Sequence, residues 1–254
     1  ALSSIPADHR GKAQLIIKEA GVFAGGALAT YLFKYLDNTA TVEQFIEDGA
    51  LVEKGTVALF VEGNTIKLLQ SERLVLNYLQ RLSGIATRTY SYAAKIKHTS
   101  CTVLDTRKTT PGYRELEKFA VRMGGGSNHR MSLSDAALIK DNHVQAAGGV
   151  ASAFNEVFTK NSNLPIEIEV DTIAQLNEIL NLNVDLALLD NMSPDQCRAA
   201  VALVAGKFKL EASGGITLEN VKSYAAAGVD YLAIGALTHS ATNLDIGLDF
   251  LGDN

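Results

Sequence analysis

Residues 166–191, IEIEVDTIAQLNEILNLNVDLALLDN, decide the fold. IEIEVDT (166–172) and LALLDN (186–191) are short runs rich in Ile, Val and Leu, the composition of strands. Between them, Thr172 to Leu182 carries the pattern of an amphipathic helix and opens on a Thr suited to cap it. A strand, a helix and a second strand in succession make a unit of a parallel sheet.

The rhythm continues in both directions. CTVLDTR (101–107), AALIKDN (136–142), KLEASGG (209–215) and YLAIGAL (231–237) read as further strands. Helices are predicted over Ser193 to Val204 and Thr217 to Ala227, each opening with Ser or Thr, and Glu219 is predicted in the first turn of the second. Arg114 to Met123 follows Pro111-Gly112 and stops at Gly124-Gly125-Gly126, a start and a stop with stated chemistry. No GxGxxG follows any strand. An α/β barrel, open or incomplete, therefore fits better than a doubly wound sheet. In such a barrel the chemistry sits at the C-terminal ends of the strands.

The first eighty residues follow another pattern. GKAQLIIKEAGVFAGG (11–26) reads as a strand, a turn and the opening of a helix that runs to about Leu36. TVEQFIEDGALVEKGTVALFVEG (41–63) alternates with period two and is broken at Gly49 and Gly55, which predicts antiparallel strands. SERLVLNYLQRLSGIATRTYSYAAKIK (71–97) reads as one or two long helices.

Composition bounds the function. The 254 residues are 47% hydrophobic and 20% charged, an ordinary globular balance, and no apolar run reaches the length of a membrane span. The stretch ALSSIPADHRGK (1–12) has no apolar signal-peptide core. A formal net charge of −5 argues against broad nucleic-acid binding. Cys101 and Cys197 match neither a zinc pattern nor a disulfide framework and are expected as free thiols, which suits a cytoplasmic setting.

The ends of the proposed strands converge on one barrel mouth. They bring Asp105, Arg107 and Lys108, then Lys140 and Asp141, then Glu169 and Asp171, then Asp190 and Asn191, then Ser213-Gly214-Gly215 and Gly235. GGGSNHRM (124–131) adds His129 and Arg130 to the same rim. Singly, each is ordinary: a cation at a strand end is usually solvated, and an Asp there often caps the next helix. Together, several cations at one mouth call for an anionic ligand. Arginine suits planar carboxylates, because its fork bonds them bidentately. Glu169 and Asp190 suit a divalent cation or a sugar diol. The backbone around Ser213, Gly214 and Gly235 suits a phosphate monoester. Phosphoribosyl transfer fits this set, and a phosphate-binding aldolase or isomerase fits it comparably.

Several longer motifs resemble the quinolinate phosphoribosyltransferase family. They are SERLVLNYLQRLSGIAT (71–87), DTRKTTPGYRELEKFAVRMGGGSNHRMSLSDAALIKDNH (105–143), EIEVDT (167–172), LLDNM (188–192), EASGGIT (211–217) and GVDYLAIGALTHS (228–240), in family order. The resemblance implies an N-terminal α/β sandwich domain over 1–85, onto which the tail 242–254 packs back, and an open α/β barrel over 86–241. It implies a magnesium-dependent transfer from phosphoribosyl pyrophosphate to quinolinate with decarboxylation, a step of NAD biosynthesis. Arg107, His129, Arg130 and Lys140 would surround quinolinate, joined by Arg73 from the neighbouring subunit of a homodimer. Lys108 would lie near the pyrophosphate, and Glu169 and Asp190 would hold ribose and Mg2+. Ser213, Gly214, Gly235 and His239 would line the 5′-phosphate site. The rival readings are an enzyme acting on nicotinate, or a non-catalytic homologue tied to metal transport. The complete set of Arg107, Arg130 and Lys140 argues against the first, and Glu169, Asp190 and the His129-Arg130 pair argue against the second.

Overall fold

The structure is a computed structural model that describes residues 4–132, 137–160 and 164–252. Ala136, the first residue of the predicted strand 136–142, and residues 253–254 of the predicted tail lie outside the described residues. In chain order the elements begin with β1 (Arg10–Ile17), β2 (Gly21–Val22), α1 (Gly26–Leu36), β3 (Thr41–Gln44), β4 (Leu51–Val52), β5 (Val57–Asn64) and α2 (Thr65–Ile96). Then come β6 (Thr102–Leu104), α3 (Arg114–Met123), β7 (Ala137–Ile139), α4 (Asp141–Ala147), α5 (Val150–Lys160), β8 (Ile166–Val170), α6 (Ile173–Glu178) and β9 (Leu186–Asp190). The last are α7 (Pro194–Val204), β10 (Lys209–Ser213), α8 (Val221–Ala226), β11 (Tyr231–Ala233), α9 (Ala236–His239) and β12 (Ile246–Leu251). Two compact units result, the first comprising Ala1–Tyr90, Glu115–Gly125 and Leu237–Asn254, the second Ser91–Arg114 and Gly126–Ala236.

The first unit is built on an antiparallel sheet of order β12-β1-β5-β3. Alternation along β1 buries Ala13, Leu15 and Ile17 completely, and β5 answers with Ala58, Leu59 and Val61. Phe23, Phe33 from α1, and Leu68, Val75 and Leu79 from α2 complete this core. The C-terminal segment joins it through β12, whose Ile246 to Leu251 pair with Ile17 to Lys12. Gly49 and Gly55, read as breaks, take φ of 93° and 91°, where glycine is at ease and other residues are not. α2 is a single continuous helix, about 48 Å long at the usual rise.

The second unit carries a parallel sheet of order β6-β11-β10-β9-β8-β7. It is a barrel that does not close: among the described residues no ladder joins β7 to β6, and one bridge, Leu104 to Ser127, lines the free edge of β6. The strands sort their side chains by face. Ile166, Ile168, Val170, Ala187, Leu189, Leu210, Ala212 and Leu232 are buried, and all belong to one face. The other face carries Glu167, Glu169, Asp190, Glu211 and Ser213, set side by side by the registers Glu169 with Leu188, Leu188 with Glu211, and Asp190 with Ser213. A barrel with a polar interior and an apolar jacket is arranged for a site rather than for a filled core.

The predicted helices differ from the observed ones in instructive ways. Arg114–Met123 is observed as read. Thr172 and Ser193 sit one residue outside their helices as true caps, accepting from Gln175 N at 3.2 Å and Gln196 N at 3.3 Å. The segment from Thr217 turns helical only at Val221, because Asn220 accepts from Thr217 N at 2.8 Å and donates to Gly215 O at 3.0 Å, pinning a turn. Glu219 thus precedes the helix instead of occupying its first turn, which corrects that expectation. Both cysteines are buried and unpaired, and burial pushes Cys101 up to about 12 and Cys197 to about 11, so both remain thiols.

Candidate active site

Each strand of the second unit stops one to four residues before its predicted end, and the leftover polar residues become the loops of the barrel mouth. They enclose a cavity of about 310 Å³ lined by Thr106, Arg107, Lys108, His129, Arg130, Lys140, Glu169, Asp190 and Ser213, with Glu167 and Glu211 also contributing. Four cations and four carboxylates share this wall, and they are layered. Arg107, Lys108 and Lys140 are exposed at the rim, whereas Glu167 and Glu211 are 3% and 0% exposed. A second cavity of about 590 Å³ shares Arg107, Arg130 and Lys140 and extends toward His143 and α5.

Several contacts fix the loops. Asp105 is fully buried, and its Oδ1 accepts from His129 N at 2.9 Å while Oδ2 accepts from Asn128 Nδ2 at 2.5 Å. Ser127 N donates to Val103 O at 2.8 Å, so the 127–129 segment runs as an extra rail along β6 and delivers His129 and Arg130 to the mouth. Arg114 donates to Thr109 Oγ1 at 3.1 Å, to Arg107 O at 3.4 Å and to Met131 O at 3.3 Å, bracing the two cationic loops against each other. Lys140 directly follows β7, and its Nζ donates to Glu169 Oε2 at 3.0 Å. Asp190 Oδ2 accepts from Asn191 Nδ2 at 2.7 Å. Asn191 itself has φ 53°, and Gly214 has φ 91° with no room for a Cβ against Asn191 Oδ1. The tight apposition holds the ends of β9 and β10 together where the glycine pair begins.

His129 is the most constrained of these groups. Its Nε2 lies 3.3 Å from Glu167 Oε1 and 3.3 Å from Glu211 Oε2, and its Nδ1 accepts from Arg130 N at 2.8 Å. Burial lowers its affinity for a proton, but hydrogen bonds to Glu167 and Glu211, and their charges, outweigh this and carry it up to about 10. The Glu211 carboxyl is pushed up by burial, reinforced by the charges of Glu167 and Asp105 and opposed by His129. The two carboxylates therefore draw an extra proton into the cluster. Nδ1 faces the Arg130 N–H, so the hydrogen that His129 turns toward the two carboxylates is on Nε2.

Two family profiles cover the chain, quinolinate phosphoribosyl transferase N-terminal domain over residues 1–83 and its C-terminal domain over residues 85–249. The chain belongs to the quinolinate phosphoribosyltransferase family. It is 44% identical to the nicotinate-nucleotide pyrophosphorylase (carboxylating) of Mycobacterium leprae over 97% of this chain and 89% of that one. It is 41% identical to the probable enzyme of the same name from Bacillus subtilis, over 97% and 86%. The crystal structure of nicotinate-nucleotide pyrophosphorylase from Ehrlichia chaffeensis superposes with a TM-score of 0.94 at 38% identity, covering 98% of this chain and 91% of that one. By these likenesses the protein is a phosphoribosyltransferase.

Of the family positions named from sequence, Arg107, Lys108, His129, Arg130, Lys140, Glu169, Asp190 and Ser213 line one cavity. Gly214 directly follows Ser213, and Gly235 lies between β11 and α9. Arg73, exposed on α2, and His239, whose Nδ1 lies 2.6 Å from Ser240 Oγ, belong to the first unit. There Arg81 supports the segment of His239, donating to the carbonyls of Thr238 and of Ala241, the latter at 3.0 Å, while its guanidinium pairs with Glu117 at 2.7 Å. Sequence reading missed Arg81, Arg114, Glu167 and Glu211. The last two carried a signal: each stands two residues before a named mouth residue, on the same face of its strand.

Proposed function

We propose that the protein transfers phosphoribose from phosphoribosyl pyrophosphate to quinolinate, with Mg2+, releasing pyrophosphate and carbon dioxide and leaving nicotinate mononucleotide. What carries the reading is one cavity in which a cationic rim meets the neighbouring carboxylates of Glu169 and Asp190. Arg107, Arg130 and Lys140, with His129 beside them, are suited to the two carboxylates of quinolinate, since guanidinium forks bind planar anions bidentately. Arg73 completes that clamp from the partner subunit of a homodimer. Ser213, Gly214 and Gly235 receive the 5′-phosphate, and the enzyme works in the cytoplasm.

Glu169 and Asp190 fit the implied metal. They offer two hard oxygen donors rather than a full cage, and Mg2+ is commonly held by one or two carboxylates with the remaining positions left to water and phosphate. When bound there, the ion supplies charge to a leaving pyrophosphate. The chain's own residues do the rest. Lys140, at 3.0 Å from Glu169 Oε2, ties the acceptor end of the site to the ribose end, so a shift of one side chain is felt by both substrates. Lys108, on the exposed rim, places an ammonium where charge builds on the leaving group. Rate enhancement then comes chiefly from position and electrostatics.

Mass spectrometry of reactions with quinolinate and with nicotinate, each with phosphoribosyl pyrophosphate and Mg2+, tests the reading. Nicotinate mononucleotide is expected from quinolinate alone, with one carbon dioxide for each pyrophosphate. Product from nicotinate alone would overturn the double-carboxylate clamp, and product from neither would overturn the activity.

A further inference from the structure

Glu211 takes no part in the roles assigned above, yet its setting is costly. Its side chain is completely buried, and apart from His129 Nε2 at 3.3 Å neither oxygen meets a donor among the described residues. A buried carboxylate left so poorly solvated is disfavoured, and neutralisation by a proton or a cation is the usual remedy. His129, Glu167 and Glu211 hold their donor atoms within 4.8 Å of one another, which a metal could in principle exploit. The tautomer speaks against a metal: with Nδ1 accepting from Arg130 N, the lone pair needed at Nε2 is replaced by a hydrogen. A proton is therefore the occupant of this cluster.

We propose that Glu211 is kept as a neutral carboxylic acid and supplies the proton that takes the place of the departing carboxylate on the pyridine ring. The proposal rests on the decarboxylating reaction put forward above. In that step the bond from ring carbon C2 to its carboxylate breaks, carbon dioxide leaves, and the bonding pair remains on C2 beside the positively charged, ribosylated nitrogen. The pair takes the proton of the Glu211 O–H, and the hydroxyl's electrons stay on Glu211 as a carboxylate. His129 Nε2–H, 3.3 Å away, then stabilises the new charge. Water then returns a proton to Glu211.

The surroundings favour this assignment. Glu167 on β8, Asp105 after β6, His129 and the β11 neighbour Tyr231 are the titratable groups around Glu211, so two carboxylates keep its proton in place until positive charge arrives on the ring. Glu211 also borders a second opening. A cavity of about 240 Å³ reaches it past Asp185 and Tyr231, from the N-terminal ends of the strands, so the acid can be recharged while the mouth is filled.

Rapid-quench measurement of both products with quinolinate, phosphoribosyl pyrophosphate and Mg2+ tests the idea. Glu211→Gln keeps size and neutrality but cannot act as an acid. It should still release pyrophosphate in a first-turnover burst, while carbon dioxide and nicotinate mononucleotide form at least about 100-fold more slowly, the scale of a lost general acid. The N-ribosylated dicarboxylate should accumulate. Carbon dioxide formed within about threefold of the unaltered rate would overturn the proposal, and so would equal loss of both products. Should Glu211→Gln fail to fold, carbon-13 carboxyl NMR of the unaltered chain decides: one glutamate must remain protonated at about pH 7, well above the ordinary range. Its absence overturns the neutral acid. If the unaltered chain makes nothing from quinolinate, the reaction itself is wrong and the donor role falls with it.

Discussion

The two units treat buried charge in opposite ways. In the first, Asp37 is 1% exposed and accepts from Asn64 N at 2.8 Å, Thr39 Oγ1 at 2.7 Å and Thr39 N at 3.1 Å, with Lys67 at 3.5 Å. Glu117 is likewise buried, and Arg81 grips it through two nitrogens. In the second, Glu211 is as deeply buried but among the described residues meets one imidazole only, and a proton makes up the deficit. Charge that serves structure is fully hydrogen-bonded, whereas charge that serves chemistry is left in need of something. Natural sites commonly give up stability in this way.

The largest expected effect lies in the first unit. Arg81→Ala removes the partner of a buried carboxylate and the donor to two carbonyls, and should lower the unfolding free energy by about 3–5 kcal/mol. Urea unfolding would measure it, and a loss below about 1 kcal/mol would contradict the structural role of this ion pair. Next is Lys140→Ala at the mouth. Quinolinate affinity should fall by about 2–5 kcal/mol, the scale for truncating one member of a charge pair at an interface. The unfolding free energy should stay within about 0.5 kcal/mol, because Lys140 is exposed. Calorimetric binding near the unaltered value, or a marked fall in stability, would break the contrast between the units.

Legibility in the sequence follows locality. Thr172 and Ser193 were readable as caps because each closes its loop with a glutamine three residues on. The mouth residues were readable from where apolar runs gave way to polar ones. The helices α4 and α5 were not foreseen: the pair Gly148-Gly149 interrupts the segment between them. Glu167 and Glu211 stayed hidden for another reason. A glutamate within a strand is usually taken as solvent-facing, and only the ladder registers reveal that this face is the barrel interior. Arg81 and Arg114 needed the folded chain, as their partners lie up to 160 residues away.

A smaller effect comes from acid. Burial alone would raise the Asp37 carboxyl, but hydrogen bonds from Asn64 and Thr39, with Lys67 nearby, bring it from 3.8 down to about 2. A folded-state value below the unfolded one stabilises the fold above the unfolded value, and this contribution is lost as pH falls from about 4 to about 2. It amounts to about 2 kcal/mol. Asp37→Asn should flatten that part of the stability–pH curve, and an unchanged acid limb would place the sensitivity elsewhere.

The smallest effect should have the opposite sign. Glu211→Leu replaces a buried neutral acid that lacks a full set of hydrogen-bond partners by an apolar side chain of similar bulk, which removes the cost of burying that polar group. His129 Nε2–H keeps Glu167 Oε1 at 3.3 Å as its acceptor, so no donor is orphaned. The unfolding free energy should rise by about 1 kcal/mol while turnover is lost. A fall of similar size would mean that Glu211 holds the barrel interior together, and the two units would then handle buried charge alike. A rise with activity gone would locate the instability of the second unit in the group its chemistry requires.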